Sequence, residues 1–194
     1  MRELAILSFV TLDGVMQSPT SADEDASGGF AGGGWGAPYW ADVMPQVYAE
    51  AMSAPYDLLF GRRTYDIFAS HWPHVDANED PVAARLNGAH KYVVTRSSET
   101  PVPWGPATQI TGDVVGEIAR LKRGDGPLLQ VHGSAELIQT LLRHDLIDEF
   151  RLWTFPVVVG DGKRLFGEGA SPGSLGLVRT ASTGNGVVMS VYRR

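Results

Sequence analysis

Pro127-Leu128-Leu129-Gln130-Val131-His132-Gly133-Ser134-Ala135-Glu136-Leu137-Ile138-Gln139-Thr140-Leu141-Leu142 carries a strand, a bend and a helix in one continuous stretch. Pro127–Val131 is a short apolar run of strand length. Gly133 supplies the bend. Leu137, Ile138, Leu141 and Leu142 then fall on one helical stripe that ends near Asp145. The same order recurs upstream. Leu4–Val10 is a strand so apolar that it belongs in the middle of a sheet, and Thr11-Leu12-Asp13-Gly14 ends it in a turn. Asp57–Phe60 is a strand that stops at Gly61 and gives way to a helix from Arg62 to Phe68. Lys91–Thr95 is a further strand, and Val114, Val115, Ile118 and Leu121 have helical spacing. Shorter helices are expected over Pro81–Leu86 and within Trp40–Met52, the latter starting near Met44 so that Pro45 lies in its first turn. Downstream, Glu149–Val159 reads as a long strand, at an edge or with a bulge because of Pro156. Leu175–Ala181 and Val187–Tyr192 form a hairpin about residues 182–186. Strand–helix alternation closed by a hairpin implies an α/β fold. Its sheet is mixed and mostly parallel, with helices on both faces and antiparallel strands at one edge. No linker or repeat divides residues 1–194, so one domain is expected.

Composition narrows the function. Sixteen basic and 22 acidic residues give a net charge of −6, the wrong sign for a general nucleic-acid binder. No apolar run reaches the ~20 residues of a membrane helix, and the first residues do not read as a signal peptide. A cytoplasmic location is therefore expected. With no cysteine, disulfides, thiolate metal sites and a cysteine nucleophile are excluded. Residues 1–90 hold 4 basic and 12 acidic side chains and residues 91–194 hold 12 and 10, which inclines an anionic ligand towards the second half. Gly28, Gly29, Gly32, Gly33, Gly34 and Gly36 crowd one stretch of residues 17–39. Composition predicts a mobile loop there, either a passive surface insertion or a lid over a site.

Three strand ends carry similar chemistry. Gly61-Arg62-Arg63-Thr64, Thr95-Arg96-Ser97 and His132-Gly133-Ser134-Ala135 each follow a strand. In open α/β sheets ligands bind beyond the carboxyl ends of the strands, and helix N-termini there suit phosphate. Arginines add charge-assisted hydrogen bonds. Together the three motifs point to a dinucleotide or another multiply phosphorylated ligand. No Gly-x-Gly-x-x-Gly, P-loop or Gly-x-Ser-x-Gly pattern is present. His71 and His74 lack the acidic helix motif of a metal site, and no metal is expected.

Five segments in order carry a family resemblance: Ser8–Gly14, Leu59–Tyr65, Val131–Leu137, Leu146–Leu152 and Pro156–Phe166. Over nearly its whole length the chain resembles the dihydrofolate-reductase-like proteins grouped with the reductase domain of the bifunctional riboflavin-biosynthesis deaminase-reductase. The resemblance implies a three-layer dihydrofolate-reductase-type sandwich, NADPH as cofactor and a homodimer. It implies that Val10 lines the nicotinamide pocket and that Gly61, Arg62, Arg63 and Thr64 hold phosphate. It places Thr95, Arg96 and Ser97 around the adenosine 2′-phosphate, and Gly133, Ser134 and Ala135 around the pyrophosphate. His132 stands where the riboflavin enzyme tends to have a glutamate, a departure from that sugar-phosphate substrate. Trp40 and Tyr48 either stack on a flat substrate or belong to the core. Asp13 is either a proton donor or a turn-former, and His132 either a donor near pH 7 or a packed side chain. Asp42 is the nearest candidate for a helix acid. Trp153 and Phe155, on the edge-like strand, are candidates for an apolar dimer patch. The reading is an NADPH-dependent reductase of a small planar heterocycle, carbonyl or imine. Its rival is a non-catalytic NADPH- or nucleotide-binding module.

Overall fold

The strand Leu4–Thr11 (β1) is buried along almost its whole length. Its pleat separates two cores: Leu4, Ile6 and Val10 enter one, and Leu7 with Phe9 the other. The computed structural model describes residues 1–167 and 172–194. Around β1 lie Tyr56–Gly61 (β2), Lys91–Val94 (β3), Ala107–Ile110 (β4), Leu128–His132 (β5), Glu149–Phe155 (β6), Gly176–Ser182 (β7) and Val188–Arg193 (β8). They form one eight-stranded sheet in the order β4-β3-β2-β5-β1-β6-β8-β7. β1 to β6 run parallel, and β8 runs antiparallel to both its neighbours, β6 and β7. Val43 and Val47 of Trp40–Val47 (α1), Tyr65 of Arg62–Ala69 (α2) and Val82 and Leu86 of Pro81–Gly88 (α3) cover one face. Ile118 of Val114–Arg123 (α4) and the Leu137, Ile138, Leu141 and Leu142 stripe of Ala135–Arg143 (α5) cover the other. The three layers and the mixed sheet are those the sequence predicts.

Four local expectations are corrected. The long strand stops at Phe155, because Pro156 has no N–H to offer the ladder. That strand is internal, lying between β1 and β8. Trp153 and Phe155 are fully buried there, so a homodimer cannot be built on them. Helix α1 starts at Trp40 rather than near Met44, continuing a 3₁₀ turn over Ala37–Tyr39, and Pro45 lies inside it. Past it the chain widens into a π-helical turn over Tyr48–Met52. β4 escapes a sequence reading because only Ile110 of its four residues is buried. Its place rests on backbone pairing with β3.

The glycine-rich stretch is also anchored, not loose. Trp35 is buried, donates its indole N–H to the Gln17 carbonyl at 2.9 Å and meets Phe155 edge-on at 5.1 Å. Phe30 is buried as well. Gln17 donates to the carbonyls of Asp25 and Ser27. A Cβ on Gly33 would lie 2.8 Å from the Ala22 Cα, so this glycine permits close packing of backbone on backbone. Trp35→Ala should therefore loosen residues 18–36 specifically. Amide exchange there should quicken by about tenfold or more while β1 and β5 keep their protection. A uniform change along the chain would show that Trp35 belongs to the global core instead.

Candidate active site

β2 and β5 are neighbours in the sheet, and their helices leave in opposite layers. α2 starts after Gly61 and α5 after Ser134, and neither start carries a side-chain cap. The two starts are tied to each other. The Gly61 N–H donates to Ser134 Oγ at 2.9 Å, and the Ser134 N–H donates to Thr64 Oγ1 at 3.1 Å. Gly133 and Ser134 both take left-handed backbone, with φ of 64° and 50°. First-turn N–H groups of both helices are thus left for a ligand, at the positive ends of two helix dipoles.

Beyond these strand ends opens a cavity of about 1650 Å³. Gly61, Arg62, Arg63 and Thr64 line it, as do Thr95, Arg96 and Ser97, and also Gly133, Ser134 and Ala135. The cationic side chains differ in their freedom. Arg62 is engaged bidentately by Asp66, at 2.8 and 2.6 Å, and donates to the Pro101 carbonyl. Arg63 and Lys163 both pair with Asp25, at 2.8 and 2.7 Å. Arg96 is exposed and has no ion-pair partner among the described residues. These cations come from both halves of the chain, so the charge bias read along the sequence does not map onto space.

The other end of the cavity is apolar. Trp40 lines it, held edge-on against Phe9 at 4.8 Å, with Met44, Val47, Phe68 and Trp72 nearby on the wall. His132 closes this end. Burial, reinforced by the Arg151 charge, pushes its pKa down to about 3. That direction favours a neutral ring at pH 7 over a histidine able to give up a proton there. Four of the five lining carboxylates are engaged elsewhere: Glu24 by Thr20, Asp25 and Asp66 by the cations above, and Asp80 by the first N–H groups of α3. The fifth, Glu136, makes no side-chain hydrogen bond or ion pair among the described residues.

Three expected site residues lie outside the cavity. Val10 packs in the core beneath α5, and Leu7, Ser8 and Phe9 line the cavity in its place. Tyr48 packs against the opposite core at the π-helical turn. Asp13 accepts from Thr11 Oγ1 at 2.6 Å and from the N–H groups of Gly160 and Val159 at 2.8 and 3.3 Å. The Thr11 hydroxyl, helped by those two N–H groups, holds its carboxyl below the usual carboxylate range. Its geometry is that of a brace between two loops, not of a proton donor. Asp42 is exposed and away from the wall. Sequence reading passed over Asp25, Lys163, Phe68 and Gln130. The last had a signal: a polar residue inside the apolar run Leu128–Val131 must find partners.

The RibD C-terminal domain family matches residues 2–189 of the chain. The chain belongs to this family. Its relatives include the uncharacterized protein YyaP of Bacillus subtilis (strain 168), 31% identical over 170 residues, covering 84% of this chain and 88% of YyaP. Solved structures that share the fold include the following two. A dihydrofolate reductase from Enterococcus faecalis complexed with NADP(H) has a TM-score of 0.63 at 13% identity, over 99% of this chain and 96% of its own. A pyrimidine reductase-like protein from Corynebacterium diphtheriae has a TM-score of 0.60 at 13% identity, over 99% and 91%. The dihydrofolate-reductase-type architecture read from the sequence is thus the fold of this RibD-type domain.

Two outcomes follow from the geometry of the RibD-type site. Gly133→Val adds a branched side chain at a positive φ, beside the Thr64 methyl 3.6 Å away, where backbone faces the cavity. Binding of a phosphorylated ligand should fall at least ~100-fold while the circular-dichroism spectrum is kept, since left-handed strain alone costs only about 1–3 kcal/mol. Normal titration by a folded variant would move the phosphate site elsewhere. Asp13→Asn should lower thermal stability at pH 7 and leave turnover within about threefold of the parent. The native-state carboxyl has a lowered pKa, so its contribution is present above the unfolded value near 3.8 and is lost as pH falls through the folded value. The gap in melting temperature between parent and variant should accordingly close below about pH 4.

Proposed function

We propose that this RibD-type domain is an NADPH-dependent reductase of a small, flat heterocycle or of a carbonyl or imine compound. The observation that carries the reading is a single cavity with two unlike ends. One end presents two uncapped helix starts and the unpaired Arg96. The other is walled by Trp40, Phe68 and Trp72. Its volume of about 1650 Å³ exceeds the ~300–1,000 Å³ of an ordinary single-ligand pocket, leaving room for a cofactor and a substrate together. The family match and the dihydrofolate-reductase and pyrimidine-reductase-like neighbours support the same reading.

The residues fit an NADP-type cofactor. The α2 and α5 starts suit its pyrophosphate, and Thr95, Arg96 and Ser97 suit a 2′-phosphate. Such a cofactor supplies a hydride when bound. What the chain contributes is positioning: the aromatic wall orients a flat ring and keeps water from its faces. A neutral His132 beside the aromatic wall favours a second reading, a module that binds NADPH without turnover. Loss of absorbance at 340 nm with dihydrofolate, pterins, pyrimidines and simple carbonyls separates the two. NADPH binding with no turnover across that panel would favour the module.

Cofactor preference tests the phosphate end by itself. A charge-assisted hydrogen bond is worth about 1.5–3 kcal/mol. Arg96→Ala should weaken NADPH by about tenfold or more and leave NADH nearly unchanged. Equal losses for both cofactors, measured by fluorescence titration, would remove Arg96 from the 2′-phosphate site.

A further inference from the structure

Lys91 opens β3 and is 0% exposed. Among the described residues no carboxylate reaches it. Its Nζ donates instead to the carbonyls of Asn87 and Ala89, both at 2.8 Å, and of Gly105 at 3.4 Å. It also lies over the Trp104 ring, 4.3 Å from the centre. An ammonium has three donors and no acceptor, so it suits three carbonyls and an aromatic face. A neutral amine keeps two N–H groups and turns a lone pair towards a carbonyl oxygen. The cluster is therefore built around the charged form. Burial works against that charge and pushes the pKa down to about 8.

Asn87 and Ala89 lie at the C-terminal end of α3, where the helix dipole favours a cation. Trp104 and Gly105 belong to residues 95–106, which join β3 to β4. Thr95, Arg96, Ser97 and Thr100 of that loop line the cavity, whereas Lys91 does not. Lys91 thus fastens a cavity-lining loop to the end of a helix from behind. Asn87 reinforces the joint, its Oδ1 accepting from Trp104 Nε1 at 2.8 Å. The other charged and titratable groups on the surrounding elements are engaged or face away. Asp57 of β2 pairs with Arg2, which lies over the Tyr92 ring. Arg85 of α3 donates to the Ser53 carbonyl, and Asp80 caps that helix at its far end. His90 Nε2 meets Thr108 Oγ1 of β4. Arg62 of α2 is held by Asp66, and Tyr65 shares its hydroxyl with the Trp104 backbone. Burial pushes the hydroxyls of Tyr56 and Tyr65 up. Arg96 and Glu99, on the loop itself, are exposed.

We propose that Lys91 is a positioning residue whose ammonium holds residues 95–106, and with them Arg96, in place for a phosphate group at that end of the cavity. Recognition of a 2′-phosphate then depends on a proton carried behind the cavity wall. Raising the pH removes that proton, frees the loop and loses the phosphate contact, while the rest of a dinucleotide is held as before. The identity of the ligand rests on the NADPH reading. The clamp on the loop does not.

The experiment uses the full chain uniformly labelled with ¹³C and ¹⁵N, so that the Lys91 side chain is followed from its own backbone amide. Its signal should titrate near 8 in the free chain. By linkage, NADP⁺ should raise that midpoint, and NAD⁺ should raise it less. Dissociation constants for both dinucleotides are measured from about pH 7 to about pH 9.5, above the second phosphate ionisation near 6, so the ligand charge is constant. The preference for NADP⁺ over NAD⁺ should fall by about fivefold or more across that range. In Lys91→Met, which keeps an unbranched side chain and loses the charge, the preference should be low and flat. A midpoint that NADP⁺ leaves unmoved, or a preference that falls equally in Lys91→Met, overturns the proposal. If Lys91→Met does not fold, the midpoint in the parent decides. A chain that binds neither dinucleotide fails the reductase reading instead, and the clamp is then judged without ligand. Amide protection of residues 95–106, measured against that of β1, should fall over the same pH range and already be low in Lys91→Met. Protection that ignores both the pH and the substitution overturns the clamp.

Discussion

The pair of hydrogen bonds joining Gly61, Ser134 and Thr64 sets the geometry of everything at the carboxyl edge of the sheet. β2 and β5 sit side by side, but α2 and α5 fall on opposite faces. Without a cross-link their first turns would diverge. Each strand–helix junction instead gives one backbone N–H to a hydroxyl on the other. The left-handed Ser134 is retained at a non-glycine residue because its Oγ and its N–H are both used in that cross-link. A cleft between two helix dipoles results, and the remaining loops close around it.

The parts of the fold legible in the sequence are those where one pattern decides one element. β1, β5 and α5 are readable because apolar period and turn chemistry agree in Leu4–Gly14 and Pro127–Leu142. β4 is not, because Ala107-Thr108-Gln109-Ile110 buries one side chain and owes its place to β3. The extent of β6 fails for a related reason. Apolar residues run on past Phe155 to Val159, and only the missing N–H of Pro156 marks the true end. The glycine-rich stretch misleads because composition reports backbone freedom, whereas Trp35 and Phe30 decide whether that freedom is used.

The site divides along the same line. Phosphate-type residues sit at strand ends, and sheet topology gathers strand ends, so Gly61–Thr64, Thr95–Ser97 and Gly133–Ala135 share one wall. The chemistry of single side chains depends on contacts no spacing encodes. Asp13 is drawn away by Thr11, Gly160 and Val159, and His132 is set by Gln130, two residues away on the same face of β5. Val10 lies on the same face of β1 as Ser8, yet only Ser8 lines the cavity, because Val10 is taken up by the core that includes Leu137 and Ile138.

Asp25 gives the cleft an internal counter-ion. Its carboxylate is attached to the same chain as Arg63 and Lys163, so it competes for them at an effective concentration that a small ligand in dilute solution does not match. Chloride or a free carboxylate, with one charge and no further contacts, gains little by exchanging with it. A ligand with several phosphate charges, also engaging the helix starts and Arg96, can meet that threshold. The tethered carboxylate thus sets a threshold of valence: it holds both cations in place, and only an anion of several charges has enough contacts to compete with it.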